Sequence, residues 1–154
     1  MNLLRRTRLL AALVLAAACA SSTEPGSLKA DPSLDLASAH TRWLAVHPSS
    51  YTAEISVAGS MLPPAGYVRV TVINGTVTDA RLVSNGTPVD LTTAPTVDGV
   101  WASLLQAQAM HEPITDAQFT SDGIPIHAMR GTFANDGGVA YAIRSFVAKS
   151  SAAP

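Results

Sequence analysis

The sequence predicts an α+β domain: one antiparallel sheet with two helices packed on one face. Three observations point there. Tyr67 to Val83 alternates Val68, Val70 and Val72 with Arg69, Thr71 and Ile73, then reaches Asn74-Gly75, the pattern of a strand running into a hairpin turn. Two further stretches, opening after Asp31-Pro32 and at Thr96, carry helix-start signals and apolar residues at helical spacing. The order is helix, three strands, helix, three strands. Neither half has an obvious core of its own, so both are expected to join one sheet.

The chain has 154 residues, a prior for one domain. It opens on a secretory signal. Arg5, Arg6 and Arg8 precede the apolar run Leu9 to Leu15, and Ala16-Ala17-Ala18 supplies small residues before Cys19. This assigns 1–18 to a signal peptide, a stretch short of the ~20 apolar residues a membrane span needs. Its removal takes Lys+Arg from 10 to 7 against 11 Asp+Glu, a formal net charge of 7 − 11 = −4. There is no basic run, and aromatics are 5%, so the composition speaks against a nucleic-acid partner.

Cys19 is the single cysteine, which excludes an intramolecular disulfide. Leu15 to Cys19 resembles a bacterial lipobox, in which the cysteine becomes the lipid-bearing first residue. The resemblance is imperfect, since Ala16 stands where Leu is usual. It implies a lipid-anchored envelope protein, and Ala20 in the second position implies the outer membrane, facing the periplasm, in a two-membrane bacterium. The other reading is ordinary cleavage after Ala18 and secretion. Residues 20–30, broken by Pro25-Gly26, read as a flexible tether.

The domain is expected over 31–148. Asp31 caps a first helix from Ser33 to Val46, with Leu36, Ala39, Trp43 and Val46 on its inner face and Pro48 ending it. Ser50 to Ala58 alternates as the first strand. Gly59 to Gly66 is a loop in which Pro63-Pro64 excludes a central strand. In the hairpin, a two-residue turn sets Val72 opposite Val77. A three-residue turn, or a bulge near Thr78-Asp79, instead brings Ala80 and Leu82 onto the valine face. The second solution is preferred because it buries Leu82. Thr96 caps a second helix from Val97 to Met110, with Val97, Val100, Trp101, Leu104 and Gln108 inward. Ile114 to Ser121, Ile124 to Phe133 and Val139 to Ala148 complete the sheet. In the last strand Tyr141, Ile143 and Ser145 oppose Ala142, Arg144 and Phe146. The halves could form a structural repeat, and 149–154 is expected to be disordered.

These elements resemble domain-of-unknown-function family 6174, found on bacterial secreted proteins and lipoproteins. The resemblance covers Trp43 to Phe146. It rests on Trp43 ahead of a strand opening at Tyr51, on Val68 to Val72 with Asn74-Gly75, on Thr96-Val97-Asp98-Gly99, on Gly123-Ile124-Pro125, and on Tyr141 and Phe146. Members often carry a Cys pair after the first strand and an aromatic in the Gly-x-Pro element. Here Gly59-Ser60-Met61-Leu62 and Ile124 stand instead, so no thiol role follows. The element order is also similar to small periplasmic modules of the PepSY and beta-lactamase-inhibitor type, which bind proteins.

The sequence has no Gly-x-Ser-x-Gly elbow, no phosphate-cradling loop and no His-Glu-x-x-His. His40 and His47 are seven residues apart, ~10 Å along a helix at 1.5 Å per residue, too far to share a zinc ion easily. His111 reads as meeting a helix end and His127 as a mid-strand side chain. Trp43 and Trp101 could stack a ligand, but both fit the apolar stripe of their helices and are expected in the core. The apolar loop Met61-Leu62-Pro63-Pro64 is the candidate partner site. No catalytic residue, metal site or cofactor is assigned. The expected role is a protein-binding or accessory module tethered through Cys19. The alternatives are a hydrolase with a spatially assembled His site and a small-ligand carrier.

Overall fold

A computed structural model describes residues 28–59, 66–132 and 137–149. The signal peptide, Cys19, the loop at 60–65 with Met61 to Pro64, and 150–154 lie outside the described residues.

Helix α1 (Leu36–Val46) is followed by strands β1 (Tyr51–Gly59), β2 (Tyr67–Ile73) and β3 (Thr76–Leu82). Helix α2 (Val97–Ala109) leads into β4 (Ile114–Phe119), β5 (Pro125–Arg130) and β6 (Val139–Ala148). All six strands form one antiparallel sheet in the order β3-β2-β1-β6-β5-β4. One core cluster joins Ala39 and Trp43 of α1 and Val97, Val100, Trp101 and Leu104 of α2 to Tyr51, Ala53, Ile55, Val70, Val72 and Ile143 of the sheet. Both helices therefore cover the same face. The halves do not form a repeat. Carrying β3-β2-β1 onto β6-β5-β4 reverses every strand while keeping the left-to-right order, which turns the sheet over and would put α2 on the opposite face.

Helix α1 starts three residues later than predicted. The Asp31 carboxylate accepts from Ser33 N (3.0 Å) and Ser33 Oγ (2.6 Å) in a local turn, and Asp35 takes the cap, accepting from Ser38 N at 2.8 Å. Two aspartates four residues apart each offer a cap, and the one nearer the apolar stripe wins. Val46, expected inward, is 50% exposed because the chain leaves the helix at His47. In α2 the Thr96 cap is as expected, accepting from Gly99 N at 3.0 Å. Its buried face ends on Ala107 rather than Gln108. Leu28, within the stretch read as tether, packs against the core.

The sheet's register is set by bulges. Asn74 and Gly75 both have positive φ (49° and 74°), and Ile73 pairs with Thr76, a two-residue turn. Val72 then faces Val77, the register slips at Thr78, and Ala80 and Leu82 fall opposite Val70 and Val68. The same device recurs in β6. Glu54 pairs with Ser145 and Ile55 with Ile143, leaving Arg144 as the extra residue. Arg144 and Ser145 thus both lie on the outer face, and Phe146 turns inward onto Trp43 and Tyr51, ring centroids 5.9 and 5.1 Å away. Strict alternation in β6, which set Phe146 opposite Tyr141 and Ile143, is corrected by this bulge. A third irregularity lies in β4, where Asp116 has φ 52°. β4 and β5 also end earlier than expected, at Phe119 and Arg130.

The ladder defines two ends. Phe119, Pro125, Ala148, Tyr51 and Val72 lie at one, and Ile114, Arg130, Val139, Gly59 and Leu82 at the other. The chain enters at the first, where Asp31 N donates to Phe119 O at 2.7 Å. Outside β3 the chain folds back alongside it. Leu82 N donates to Thr87 O, Val89 N to Ala80 O, and Arg81 bridges to Pro88.

The β4–β5 turn sits directly under α1. Gly123 has φ +78°, and a Cβ there would lie 2.0 Å from Ala39 O and 2.6 Å from Trp43 N. Gly86 has a similar φ of +73° with nothing within 4 Å of its would-be Cβ. Gly86→Ala should therefore cost only the strain of left-handed backbone, about 1–2 kcal/mol. Gly123→Ala should cost about 3 kcal/mol or more, because backbone cannot move aside as a side chain can. Urea unfolding of the two variants compares them directly.

Candidate functional site

The outer sheet face carries the most organised polar group among the described residues. Glu54 projects outward from β1, its side chain 13% exposed, between Arg69 of β2 and the bulge residue Arg144 of β6. Its Oε1 accepts from Arg69 Nε (3.0 Å) and Nη2 (2.6 Å), and its Oε2 from Arg144 Nε (2.7 Å). The Arg144 guanidinium also lies over the Tyr67 ring, 4.2 Å from its centroid. Arg81, opposite Arg69, is held by Asp79 at 3.0 Å. Burial pushes the Glu54 carboxyl up, but the hydrogen bonds and charges of the two arginines outweigh it and hold the group below its ordinary value. One carboxylate between two guanidiniums leaves one positive charge on an otherwise acidic domain. Arg69 is 58% exposed at its side chain.

A second cluster joins the helices. Asp98, in the first turn of α2, accepts from the buried Trp43 Nε1 at 3.2 Å and contacts His47 Nε2 at 2.9 Å. Tyr51 Oη accepts from Val97 N at 3.2 Å. Burial, then the nearby Asp98 charge, pushes the Tyr51 phenol up to about 12. Both tryptophans are core residues, 1% and 2% exposed. Trp101 stacks on Phe119 (5.4 Å, 9° between planes) and donates from Nε1 to Gly123 O at 3.2 Å.

The third feature is a half-open cavity of about 500 Å³ at the Gly59–Leu82 end. Its walls include Val57, Val68, Val89, Pro95, Val100 and Tyr141. Tyr141 Oη is 2.5 Å from Ser103 Oγ and 3.4 Å from Arg130 Nε, and Arg130 Nη1 reaches Glu112 Oε2 at 3.1 Å.

The four histidines have separate surroundings. His40 lies against Trp101 (5.0 Å), His47 meets Asp98 and Trp43, His111 sits in left-handed backbone past α2, and His127 Nδ1 is 3.2 Å from Asp116 O. Among the described residues no three His, Cys, Asp or Glu side chains gather as a metal site, and no helix is long and apolar enough to cross a membrane. Sequence reasoning passed over Glu54, Arg144 and Asp98. The signal for Arg144 was Ile143-Arg144-Ser145-Phe146, whose apolar-polar-polar-apolar spacing matches the bulged Val77-Thr78-Asp79-Ala80. No family model, curated protein or solved structure matches the chain.

The Glu54 carboxyl is lowered on folding, so its stabilisation is present above the unfolded value near 4.5 and is lost as pH falls through the folded one. Wild type should be more stable than Glu54→Gln at neutral pH, the gap closing below pH 4.5 in urea titrations. Tyr51 runs the other way. Its folded value is raised, so its contribution is full below pH 10.0 and is lost as pH climbs towards about 12. An ultraviolet absorbance titration should show a late-ionising phenol that Tyr51→Phe lacks.

Proposed function

We propose that the chain is a non-catalytic binding or accessory module of the bacterial cell envelope, tethered to a membrane through a lipidated Cys19 and acting on another envelope protein. The observation that carries the reading is the Arg69–Glu54–Arg144 group with Tyr67 on the helix-free sheet face. Arginine and tyrosine are over-represented where proteins bind proteins. Here four side chains are already held by ion pairing and a cation–π contact, so binding orders less. The net positive charge suits an acidic patch on the partner. The signal-like N-terminus supports the address, and the resemblance to domain-of-unknown-function family 6174 is the kinship proposed. The hydrolase alternative rests on His47 with Asp98, a pair whose Asp98 oxygen also serves the Trp43 indole.

The test is affinity capture from the native envelope with wild type, Cys19→Ala, and Arg69→Gln/Arg144→Gln. The last keeps hydrogen-bond donors towards Glu54 and removes the charge. Wild type should partition with membranes and Cys19→Ala should not. One envelope protein should be enriched by wild type, at least tenfold less by the arginine variant, and less at raised salt. Equal capture by the arginine variant would remove the sheet face as the site. Capture of nothing would remove the protein-binding reading.

A further inference from the structure

We propose that the cavity between the Val57–Val68 end of the sheet and the first turn of α2 binds the acyl chain of a separate lipid molecule. Its volume, about 500 Å³, lies within the ~300–1,000 Å³ of small-molecule sites. Val57, Val68, Val89, Ala94, Pro95 and Val100 supply the apolar wall, and no charged side chain lines it among the described residues.

The polar side chains in the lining are already in use. Thr93 Oγ1 donates to Asp90 O at 3.3 Å. Thr96 Oγ1 accepts from Gly99 N, closing the helix cap. Tyr141 Oη is shared between Ser103 and Arg130, and that arginine is itself paired with Glu112. A wall whose side-chain hydrogen bonds are satisfied internally selects by shape and apolar area. A polar or charged ligand would recover less of its lost hydration there than it needs to. An acyl chain has no such loss, and its head group stays in water at the open mouth.

The occupant proposed is a lipid other than one carried on Cys19, whose chain meets the body away from the cavity mouth. The N-terminal chain joins the body at Asp31, beside Phe119, whereas the cavity lies at the opposite end of the strands.

The experiment uses the Cys19→Ala chain without its signal peptide, so it is independent of anchoring and of any protein partner. N-phenylnaphthylamine, an uncharged apolar fluorophore, is titrated in, then displaced with monolaurin. Saturable fluorescence enhancement, displaced by monolaurin and not by glycerol, is expected. Ala94→Phe, which places a ring in the cavity from a half-buried position, should weaken binding at least tenfold with an unchanged melting temperature. Should that variant fail to fold, Val89→Phe fills the same space from another wall. No saturable enhancement in the parent protein would overturn the proposal, as would undiminished binding in a folded filled variant. If binding holds while envelope capture fails, the cavity stands and the protein-partner reading alone falls.

Discussion

Helix α1 lies on the β4–β5 turn with no space for a side chain between them, and much of the molecule follows from that contact. With Gly123 against Ala39 O and Trp43 N, α1 can sit at only one height above the sheet. That height brings the Trp43 indole edge-on against Tyr51 and Phe146 and points its N–H at Asp98 of α2. The Gly123 carbonyl accepts from Trp101 in turn, so one turn fixes both helices. A buried indole N–H without a partner costs about 1–3 kcal/mol, so each of these donors restricts where its helix can lie. Because both helices are held to one face, no helix of the described residues covers the other, where Arg69 and Arg144, 58% and 48% exposed, flank Glu54.

The architecture was largely legible because its signals are local. Valines at every second position, Asn74-Gly75, and the Thr96 cap each act within a few residues. The misreadings share one cause, which is that long-range packing chose between two local options. Asp31 and Asp35 were both competent caps. Phe146 was assigned to the wrong face because alternation was carried through Arg144. In β3 the competing demands of Val77 and Leu82 exposed the bulge. In β6 the same spacing passed unnoticed because Ser145 could pass for an inward residue.

The sites were less legible for a different reason. Glu54, Arg69 and Arg144 come from three strands, the last of them 90 residues from Glu54. Only the sheet order β2-β1-β6, with a bulge to aim Arg144, brings them together. The cavity likewise draws on β1, β2, β6 and the stretch before α2. Histidines and tryptophans attracted notice as residue types, yet Trp43 and Trp101 serve packing and the histidines disperse. A common Glu-Arg pairing has no local spacing that marks it in advance.

The two outermost strands are finished differently from the rest, and this bears on how the protein behaves when crowded. β3 has its free side occupied by the returning chain, with Pro88 bridged to Arg81. β4 is interrupted by Asp116 in left-handed backbone and closed at its end by Asp31. An unpaired, straight edge is a template on which another chain can add, and bulges, prolines and covering segments are the usual defence. Here neither border offers a straight run of free amide and carbonyl groups. Many copies gathered on one surface would meet through side chains, and the sheet would end with each molecule instead of growing into a fibre.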